Sequence, residues 1–478
     1  MEEKEKMKLT KECIGSMSVA NFVDDIVSSG LSGVRKCRKC CSLSDEDFMR
    51  HGIMRVFDET SSGREFLQKI FDYGIMGNNG EFPEEGYIAG STYFGSLCSR
   101  RRLEFTEEIS IGIFRYLTNM IRKLPGVDYL SQLKELKGRS VFSGDGHYIN
   151  AAVHTEKIKG KTPVPGCIYV QDLVSGFIYP LCQVESEISP KPHEIKFLKK
   201  YIPCLMNLGN GNGSPILIYD RAATDNKLWS GYHNIRRRGI TIITRTKGNM
   251  RFVHTIPLEF KKNDPVNEGV TGYYLCGVSN GGVLYTIHYT DPESGKKFIF
   301  LTNDKSLRPG VVALLYKLRW KIEKVFDVSK NKFYETKAWA TSLTAHRIQS
   351  LFIALTYNIT FFFRIVMDKI FNIRDEVSEQ KRKKRIEHPE QSSSQKNSDS
   401  QQTNRNSDMP DKKHSSSTIC HFISSSHIHQ IPHRIIRFIR NIYAACKSHL
   451  TIFQIIPALQ YHMKLKLPKP LSASSDTT

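Results

Sequence analysis

Apolar residues recur at helical spacing through much of the first 136 residues. The pattern is clear at 22–31 and again at 109–124, where apolar side chains stand three and four positions apart. Such spacing places the side chains on one face of an α-helix, so we predict a mostly helical region over 1–136. Between these helices, residues 86–102 mix glycine, aromatic residues and three arginines. We predict a turn there that faces phosphate or, for any single arginine, a solvated loop.

The periodicity changes to that of strands after residue 139. A hairpin of strands is followed by a strand, a helix and another strand, an order that predicts an α/β sheet of mixed direction. The predicted elements are two strands within 166–184 joined by a turn at 173–176, a helix at 194–208, a strand at 216–219, a helix at 226–239 and a strand at 240–246.

Residues 248–302 are rich in β-branched and aromatic residues, with frequent Gly, Asn and Asp turns. Hairpin signals at 279–282 and 291–295 divide this segment into several strands. We therefore predict an all-β insertion that separates a first part of the α/β core, 137–247, from a second part, 303–377.

The composition becomes polar at 378–418, where Ser, Gln, Asn and Lys repeat and apolar residues are few. Such a segment cannot bury enough apolar surface to fold, so we predict a disordered linker, with its KRKKR run solvated. A basic, apolar and helical pattern returns over 419–478, with Pro432 and Pro457 as breakers. We assign this C-terminal segment a possible role in dimerisation.

The charge balance indicates the kind of partner. The chain has 478 residues, with 69 Lys and Arg against 48 Asp and Glu, a net charge of +21. This surplus favours nucleic acid or an anionic lipid surface over an acidic protein. One stretch, 348–367, has nearly the length of a membrane span. Because it contains Gln349, Asn358 and Arg364, we predict a buried helix of a protein with no membrane partner.

The N-terminus and the cysteines bear on the compartment. The first ten residues are charged and have no apolar core, which is unlike a secretory signal. Eleven scattered cysteines therefore predict reduced thiols in the cytoplasm. Cys37, Cys40 and Cys41 form a CxxCC cluster, but no second ligand pair follows at a zinc-site spacing. We interpret the cluster as a basic turn with free thiols.

Candidate chemistry begins on the predicted helix around Glu323. At about 100° per residue, Tyr316, Arg319, Glu323 and Lys330 share a stripe roughly 60° wide, beside an apolar face. An ordinary ion pair at i,i+4 explains Arg319 and Glu323 but does not require the other two. Asp327 lies near the same stripe and is the competitor to Glu323.

Two aspartates lie near the ends of predicted strands. Asp145 stands between Gly144 and Gly146, and Asp220 ends the most apolar strand of the core. Carboxylates at such strand ends point into the crevice where α/β sheets bind ligands, although a loop cap is the alternative for each alone. With Glu323 they can hold two Mg²⁺ ions about 4 Å apart, an arrangement that cleaves phosphodiesters. His147 and His154 are poorer candidates, because hard cations prefer oxygen ligands.

Together these residues are similar to a known family. The pattern Tyr316-x2-Arg319-x3-Glu323-x6-Lys330 resembles the YREK signature of the IS-four family of DDE insertion-sequence transposases. The contexts SGDGHYI around Asp145 and IYDRAATDN around Asp220 resemble those of the family's two aspartates, and the β insertion lies where the family has one. The resemblance covers about residues 85 to 365. It implies a retroviral-integrase-like (RNase H-like) catalytic core with helical N- and C-terminal regions.

The resemblance also implies an activity and its parts. Asp145, Asp220 and Glu323 would be catalytic and bind two Mg²⁺ ions, with Mn²⁺ as a substitute. Tyr316, Arg319, Lys330 and Arg221 would contact DNA, and 1–136 would bind the element ends. A homodimer would act on terminal inverted repeats and target DNA in a bacterial, nucleoid-associated setting. The family's stacking tryptophan is absent from 248–302, where Tyr289 or Phe298 is the substitute.

Three hypotheses about function remain open at this point. The first is cut-and-paste transposition, with metal-dependent cleavage and transfer of DNA strands. The second is a catalytically inactive or domesticated DNA-binding relative that holds element ends. The third is a metal-dependent nuclease without strand transfer. Intact acidic residues at 145, 220 and 323 argue for a catalytic protein.

Overall fold

A computed structural model describes residues 12–18, 22, 25–27, 43–58, 62–69, 90–122, 129–184, 193–209, 213–233, 239–248, 250–279, 282–333, 335–373, 435, 438 and 450–464. The cysteine cluster at 37–41 and the polar segment at 378–418 lie outside these residues. The chain divides into two compact units. One comprises Met1–Phe22, Phe363–Ser415 and Pro432–Thr478, and the other comprises Val23–Phe362 and Ser416–Ile431.

The helical pattern before residue 136 corresponds to four α-helices among the described residues of the larger unit. Ser44 caps the first of them, accepting a hydrogen bond from the Asp47 amide at 3.0 Å. Phe48 packs edge-on against Phe352, with ring centroids 5.5 Å apart, so these helices contribute to the core. The four are α1 Asp45–Phe57, α2 Gly63–Lys69, α3 Gly90–Leu97 and α4 Arg100–Arg122.

The turn predicted at 86–102 is not present over its described part. Residues from 90 onward form α3 and the start of α4, with a break at 98–99. Arg102 does not face phosphate, because its guanidinium is buried and pairs with Asp45, also donating to the Leu43 carbonyl. A buried arginine keeps its charge only with such partners. The local sequence does not reveal this pairing, since Asp45 is distant in the chain.

The described strands form one mixed sheet with nine members in the order β3-β2-β1-β4-β5-β9-β8-β7-β6. β1 with β4 and β4 with β5 are parallel, and the other neighbours are antiparallel. The mixed α/β prediction is confirmed. The strands are β1 Val141–Tyr148, β2 Gly166–Asp172, β3 Ile178–Val184, β4 Ile216–Ile218, β5 Thr241–Arg245, β6 Thr255–Pro257, β7 Val270–Gly277, β8 Val283–Thr290 and β9 Lys297–Thr302.

The strands within 248–302 extend the core sheet. β9 pairs antiparallel with β5, Ile243 opposite Thr302 and Arg245 opposite Phe300, and β8, β7 and β6 follow outward. The segment is β-rich, as its composition predicts, but its strands do not stand apart from the sheet that carries the candidate aspartates. Its position in the sheet depends on the β5–β9 pairing, which the local alternation of residues does not encode.

The remaining helices of the larger unit cover the sheet. Val311, Leu314 and Leu315 of one helix pack on Val141 and Ile218 in the main apolar cluster, which holds that helix across the parallel strands. These helices are α5 Glu194–Tyr201, α6 Leu205–Leu208, α7 Asn226–His233, α8 Pro309–Leu318, α9 Trp320–Lys332 and α10 Leu343–Lys369, with 3-10 turns at Tyr129–Gln132, Lys134–Leu136, Ile202–Cys204, Arg221–Ala223 and Pro265–Asn267.

Helix α10 contains the apolar stretch considered above as a membrane span. It is long and apolar enough to cross a membrane, but 94% of its most apolar window is buried within the protein. Asn358 is also buried there, and its side chain bonds the backbone of Ile178 on β3 in both directions. The burial and these polar contacts are the properties of a core helix.

The smaller unit contains the last described helix, α11 Ile452–Lys464. Its Phe453 ring packs edge-on against Phe371 at 5.9 Å. Pro457 lies inside the helix and does not end it, contrary to the prediction. Proline removes one main-chain hydrogen bond, and burial of Ile455 and Leu459 on the same helix offsets that loss.

Candidate active site

A crevice opens where the parallel strands β1 and β4 separate. Their ladder ends with Ser143 opposite Ile218, and the chain then continues to Asp145 on one strand and Asp220 beyond the other. Each aspartate lies two positions past the end of the ladder. Because side chains alternate along a strand, both carboxylates lie on the same face as Ser143 and Ile218, the face that α8 covers.

The helix that carries the YREK pattern is interrupted at Arg319. We predicted one continuous helix, but α8 ends at Leu318 and α9 begins at Trp320. The Arg319 amide bonds to Tyr316 O, and the Ile322 amide to Arg319 O, both at 3.2 Å and three residues apart. The Arg319 carbonyl also accepts a hydrogen bond from Ser143 Oγ at 3.1 Å. The break is therefore fixed to β1, two residues before Asp145.

The Arg319 side chain joins two of the three candidate catalytic residues. Nη1 donates to Asp145 Oδ2 at 3.2 Å and Nη2 donates to Glu323 Oε1 at 2.6 Å. The guanidinium is buried, with 8% of the side chain exposed, whereas the Glu323 side chain is 38% exposed. One buried cation thus lies between a carboxylate of the sheet and a carboxylate of the helix.

Asp145 is electrostatically unfavourable in its ionised form. Burial raises the pKa of its carboxyl group to about 6, against the lowering effect of Arg319 and of the Gly146 amide, and the charges of Asp220 and Glu194 raise it further. Asp220 is near enough to contribute to this shift. It also caps the following 3-10 turn, since Oδ1 accepts from the Ala222 amide at 2.7 Å. Asp220 therefore both caps the following turn and lies near Asp145 in the crevice.

The other predicted DNA contacts differ in exposure. Arg221 and Lys330 are exposed; Arg221 directly follows Asp220, and Lys330 follows Glu323 on α9. Tyr316 is only 7% exposed, its ring 4.9 Å from that of Phe300 and below the Arg319 guanidinium. Because Tyr316 is buried, its ring packs under the Arg319 guanidinium and is not exposed to a ligand. Asp327, the competitor to Glu323, is exposed.

A row of stacked groups leads from the site to β5. The Arg245 guanidinium lies 5.0 Å from the centre of the Phe298 ring, and that ring is stacked on Phe300 at 5.8 Å. Phe298 is thus covered on one side by a cation, and Tyr289, the other proposed substitute for a stacking tryptophan, is 1% exposed. Neither ring is free to stack on a base. Trp320, next to Arg319, is 62% exposed.

Sequence reasoning missed Glu194, Arg245 and Lys247. Glu194 begins α5 and affects the pKa of Asp145. Arg245 ends β5, and Lys247 Nζ donates to the Ala222 carbonyl at 3.5 Å, beside Asp220. The glycines around Asp145 were the one available signal for Glu194, because they indicate a close approach of other groups to β1.

The donor chemistry of the site suits a hard divalent cation. Asp145, Asp220 and Glu323 offer only carboxylate oxygens, the ligands that Mg²⁺ prefers. Within the described part of the chain, however, no three His, Cys, Asp or Glu side chains are grouped to hold one metal ion. Arg319 already compensates two of the carboxylates. The carboxylate oxygens are thus of the right chemical type for the cation. In this structure Arg319 supplies the positive charge beside Asp145 and Glu323.

Comparison with known protein families gives a match over part of the chain. Residues 187–359 match the family described as transposase DDE domain, a range that includes Asp220, Arg319 and Glu323. This match supports a DDE transposase. Asp145 precedes the matched range, and its link to the matched residues is its contact with Arg319. None of the curated proteins matches the chain.

Among solved structures, the chain is similar to the piggyBac transposase in a synaptic complex with hairpin DNA. The identity is 12%, and the alignment covers 98% of this chain and 87% of that one. The TM-score is 0.36, which does not show that the two chains share one fold.

Proposed function

We propose that this protein is the transposase of an insertion sequence of the IS-four family, cleaving DNA at element ends and joining them to target DNA. The observation that carries the proposal is the pair of bonds from Arg319 to Asp145 and Glu323. Arg319, Glu323 and the nearby Asp220 lie in the segment that matches a transposase DDE domain. An RNase H-like core is consistent with the mixed sheet and with carboxylates at the ends of its parallel strands.

Asp145, Asp220 and Glu323 would hold the catalytic cations. Two Mg²⁺ ions, or Mn²⁺, would activate the attacking water or 3′-hydroxyl and stabilise the leaving oxygen when bound. The raised pKa of Asp145 supports this role, because a carboxylate that lacks sufficient compensation within the protein gains most from an added cation.

Arg319 has two successive roles in this proposal. Without DNA it compensates Asp145 and Glu323, and with DNA its planar guanidinium is free to pair with a phosphate at the element end. Its backbone stays fixed by Ser143, so the side chain moves while the helix break does not. Tyr316 supports it from below.

The DNA backbone would be held at the rim of the site. Arg221 directly follows Asp220, and Lys330 lies on α9 with Glu323. Arg245 ends β5 and Lys247 donates to the Ala222 carbonyl, and none of these four cations forms an ion pair among the described salt bridges. Cations without acidic partners are available for phosphate and offset its repulsion by the acidic residues. The net charge of +21 supports the same partner. We propose a homodimer on terminal inverted repeats, acting in the bacterial cytoplasm.

A strand-cleavage assay on DNA that carries the sequences flanking the gene tests the proposal. With Mg²⁺, we expect the wild-type protein to nick these ends and join them to a target plasmid. Glu323→Gln should abolish cleavage and keep end binding, whereas the matched control Asp327→Asn, an exposed acid on the same helix, should cleave normally.

The outcomes separate the three hypotheses. Cleavage without joining would identify a nuclease, and binding without cleavage by the wild-type protein would identify a DNA-binding relative. Undiminished cleavage by Glu323→Gln would show that the assigned site is wrong.

A further inference from the structure

Glu194 is a half-buried residue whose carboxylate links two strands of the site. It occupies the first position of α5, and its Oε1 accepts a hydrogen bond from the Tyr148 hydroxyl at 2.9 Å. Its Oε2 accepts one from the Tyr219 hydroxyl at 2.7 Å. Hydrogen bonds to an ionised carboxylate are roughly twice as strong as neutral ones. One side chain therefore connects the end of β1 to the residue that precedes Asp220.

This connection lies where the main chain no longer joins the strands. The ladder between β1 and β4 ends at Ser143 and Ile218, before either aspartate. Because side chains alternate, Tyr148 and Tyr219 lie on the face of the sheet opposite Asp145 and Asp220. The two phenols and Glu194 thus bridge the separated strands on the face opposite Arg319 and the candidate carboxylates.

The glycines on both sides of Asp145 make room for this bridge. A Cβ atom on Gly144 would lie 2.7 Å from Tyr219 Cδ2, and one on Gly146 would lie 2.2 Å from Glu194 Oε1. Neither distance is compatible with a real side chain without displacement. Neither glycine has a positive φ, so backbone conformation does not require them. Both are explained by the space that the ring and the carboxylate occupy.

We propose that Glu194 is a positioning residue of the active site, which fixes the separation of Asp145 and Asp220 through Tyr148 and Tyr219. This inference rests on the proposed strand cleavage. Glu194 does not contact the DNA or the reacting atoms in this role. It holds the two strand ends at one distance, as outer groups do for the ligands of metal sites.

The first test separates positioning from DNA binding. Glu194→Ala should slow single-turnover cleavage at saturating end DNA by about 10-fold or more, with the dissociation constant for that DNA unchanged within about 2-fold. Glu194→Gln should restore most of the rate, because its amide can accept from one phenol and donate to the other. The control Tyr201→Phe removes a hydroxyl from the same helix and should cleave like the wild type.

The second test needs neither metal nor DNA. In the metal-free protein, Gly146→Ala should lower the melting temperature by about 2–4 °C or more, because the added methyl group collides with Glu194. In the Glu194→Ala background the same substitution should have little effect, since the collision is gone. This non-additivity measures the contact directly.

The outcomes distinguish this inference from the proposed function. If the wild-type protein does not cleave, the proposed function is contradicted. The melting temperatures of the Gly146→Ala and Glu194→Ala variants still test the contact between Glu194 and β1. If the wild type cleaves and Glu194→Ala cleaves equally fast, or if Glu194→Gln is as slow as Glu194→Ala, the positioning role is wrong. Should Glu194→Ala fail to fold, the double variant Tyr148→Phe/Tyr219→Phe replaces it. Wild-type cleavage by that variant would overturn the inference.

Discussion

Arg319 Nη1 lies 3.2 Å from Asp145 Oδ2, joining a helix break to the interior of β1 across 174 positions of sequence. The same guanidinium reaches Glu323. A divalent cation at these carboxylates therefore competes with Arg319 for the same negative charge. Without DNA, Arg319 balances the negative charge of Asp145 and Glu323. Metal binding at these carboxylates is therefore linked to movement of the Arg319 side chain.

From this competition we predict that Arg319→Ala binds Mn²⁺ more tightly than the wild type in the absence of DNA. Removing a unit positive charge from between two carboxylates increases their attraction for a cation. Manganese binding followed by electron paramagnetic resonance measures the effect. The same variant should bind end DNA more weakly and cleave it more slowly. Lys262→Ala is the control, since Lys262 is exposed, lies at the far end of α8 from Arg319 and should leave manganese affinity unchanged. Weaker binding by Arg319→Ala would contradict the competition.

Asp145→Asn should stabilise the protein at pH 7. Burial raises the pKa of Asp145 to about 6, above its ordinary value of 3.8, so ionised Asp145 destabilises the fold. A shift of this size corresponds to about 1–3 kcal/mol. The wild type recovers this free energy as the pH falls from 6 towards 3.8 and Asp145 becomes protonated. Urea unfolding at several pH values should therefore show a gain at pH 7 that disappears below about pH 4.

Asp304→Asn provides a control of opposite sign. Despite partial burial, hydrogen bonds from Ser306 and the charge of Arg139 hold the pKa of Asp304 below its ordinary value. Its ionised form stabilises the fold at pH 7, and Asp304→Asn should reduce the free energy of unfolding there. If Asp145→Asn also destabilised at pH 7, the assigned environment of Asp145 would be incorrect.

Much of the sheet follows from local sequence, because its strands are short apolar runs that end at turn residues. The turn at 173–176 requires Gly176, whose φ is +81°. Asp145 and Asp220 follow from the same pattern, since apolar strands lead into them. The local sequence therefore predicts where many of the strands and turns begin and end.

The parts that sequence did not predict depend on contacts between distant segments. A helical projection treats 316–330 as one straight helix, because nothing in that stretch records that Ser143 binds the Arg319 carbonyl. Glu194 resembles any acid in a first helical turn until Tyr148 and Tyr219 are placed beside it. The pairing of β9 with β5 likewise depends on contacts between strands that are distant in sequence.

The pair of His147 and Glu335 should fix the segment that follows α9 against β1. His147 Nε2 lies 3.1 Å from Glu335 Oε2, with both side chains 3% exposed, and Phe326 of α9 stacks on the imidazole at 4.7 Å. Glu335→Ala leaves a buried ring nitrogen without its partner and should cost about 1–3 kcal/mol. Chemical denaturation measures this loss. Glu335→Gln retains a hydrogen-bonding group and should lose less; an equal loss in both variants would show that the hydrogen bond is not the cause.

Arg245 and Lys247 should contribute to DNA binding through phosphate alone. Arg245 stacks on Phe298 and Lys247 lies beside Ala222, so both cations are held near Asp220 without a carboxylate partner among the described residues. Each lost phosphate contact reduces the slope of the logarithm of the binding constant against the logarithm of salt concentration by about 1. Arg245→Ala should therefore weaken binding to end and random DNA equally and flatten the salt dependence, as fluorescence anisotropy over a range of KCl measures.

Lys262→Ala provides the matched control for this salt dependence. Lys262 is exposed and lies two residues from Asp264, which pairs with Arg308 just before α8, at the opposite end of that helix from Arg319. Loss of its charge lowers the net charge by the same amount as Arg245→Ala. If both variants reduce the slope of the binding constant against salt concentration equally, total charge governs DNA binding. Arg245 and Lys247 would then make no specific contact with phosphate. A reduced slope confined to Arg245→Ala and Lys247→Ala would place the phosphate backbone beside Asp220, where cleavage requires it.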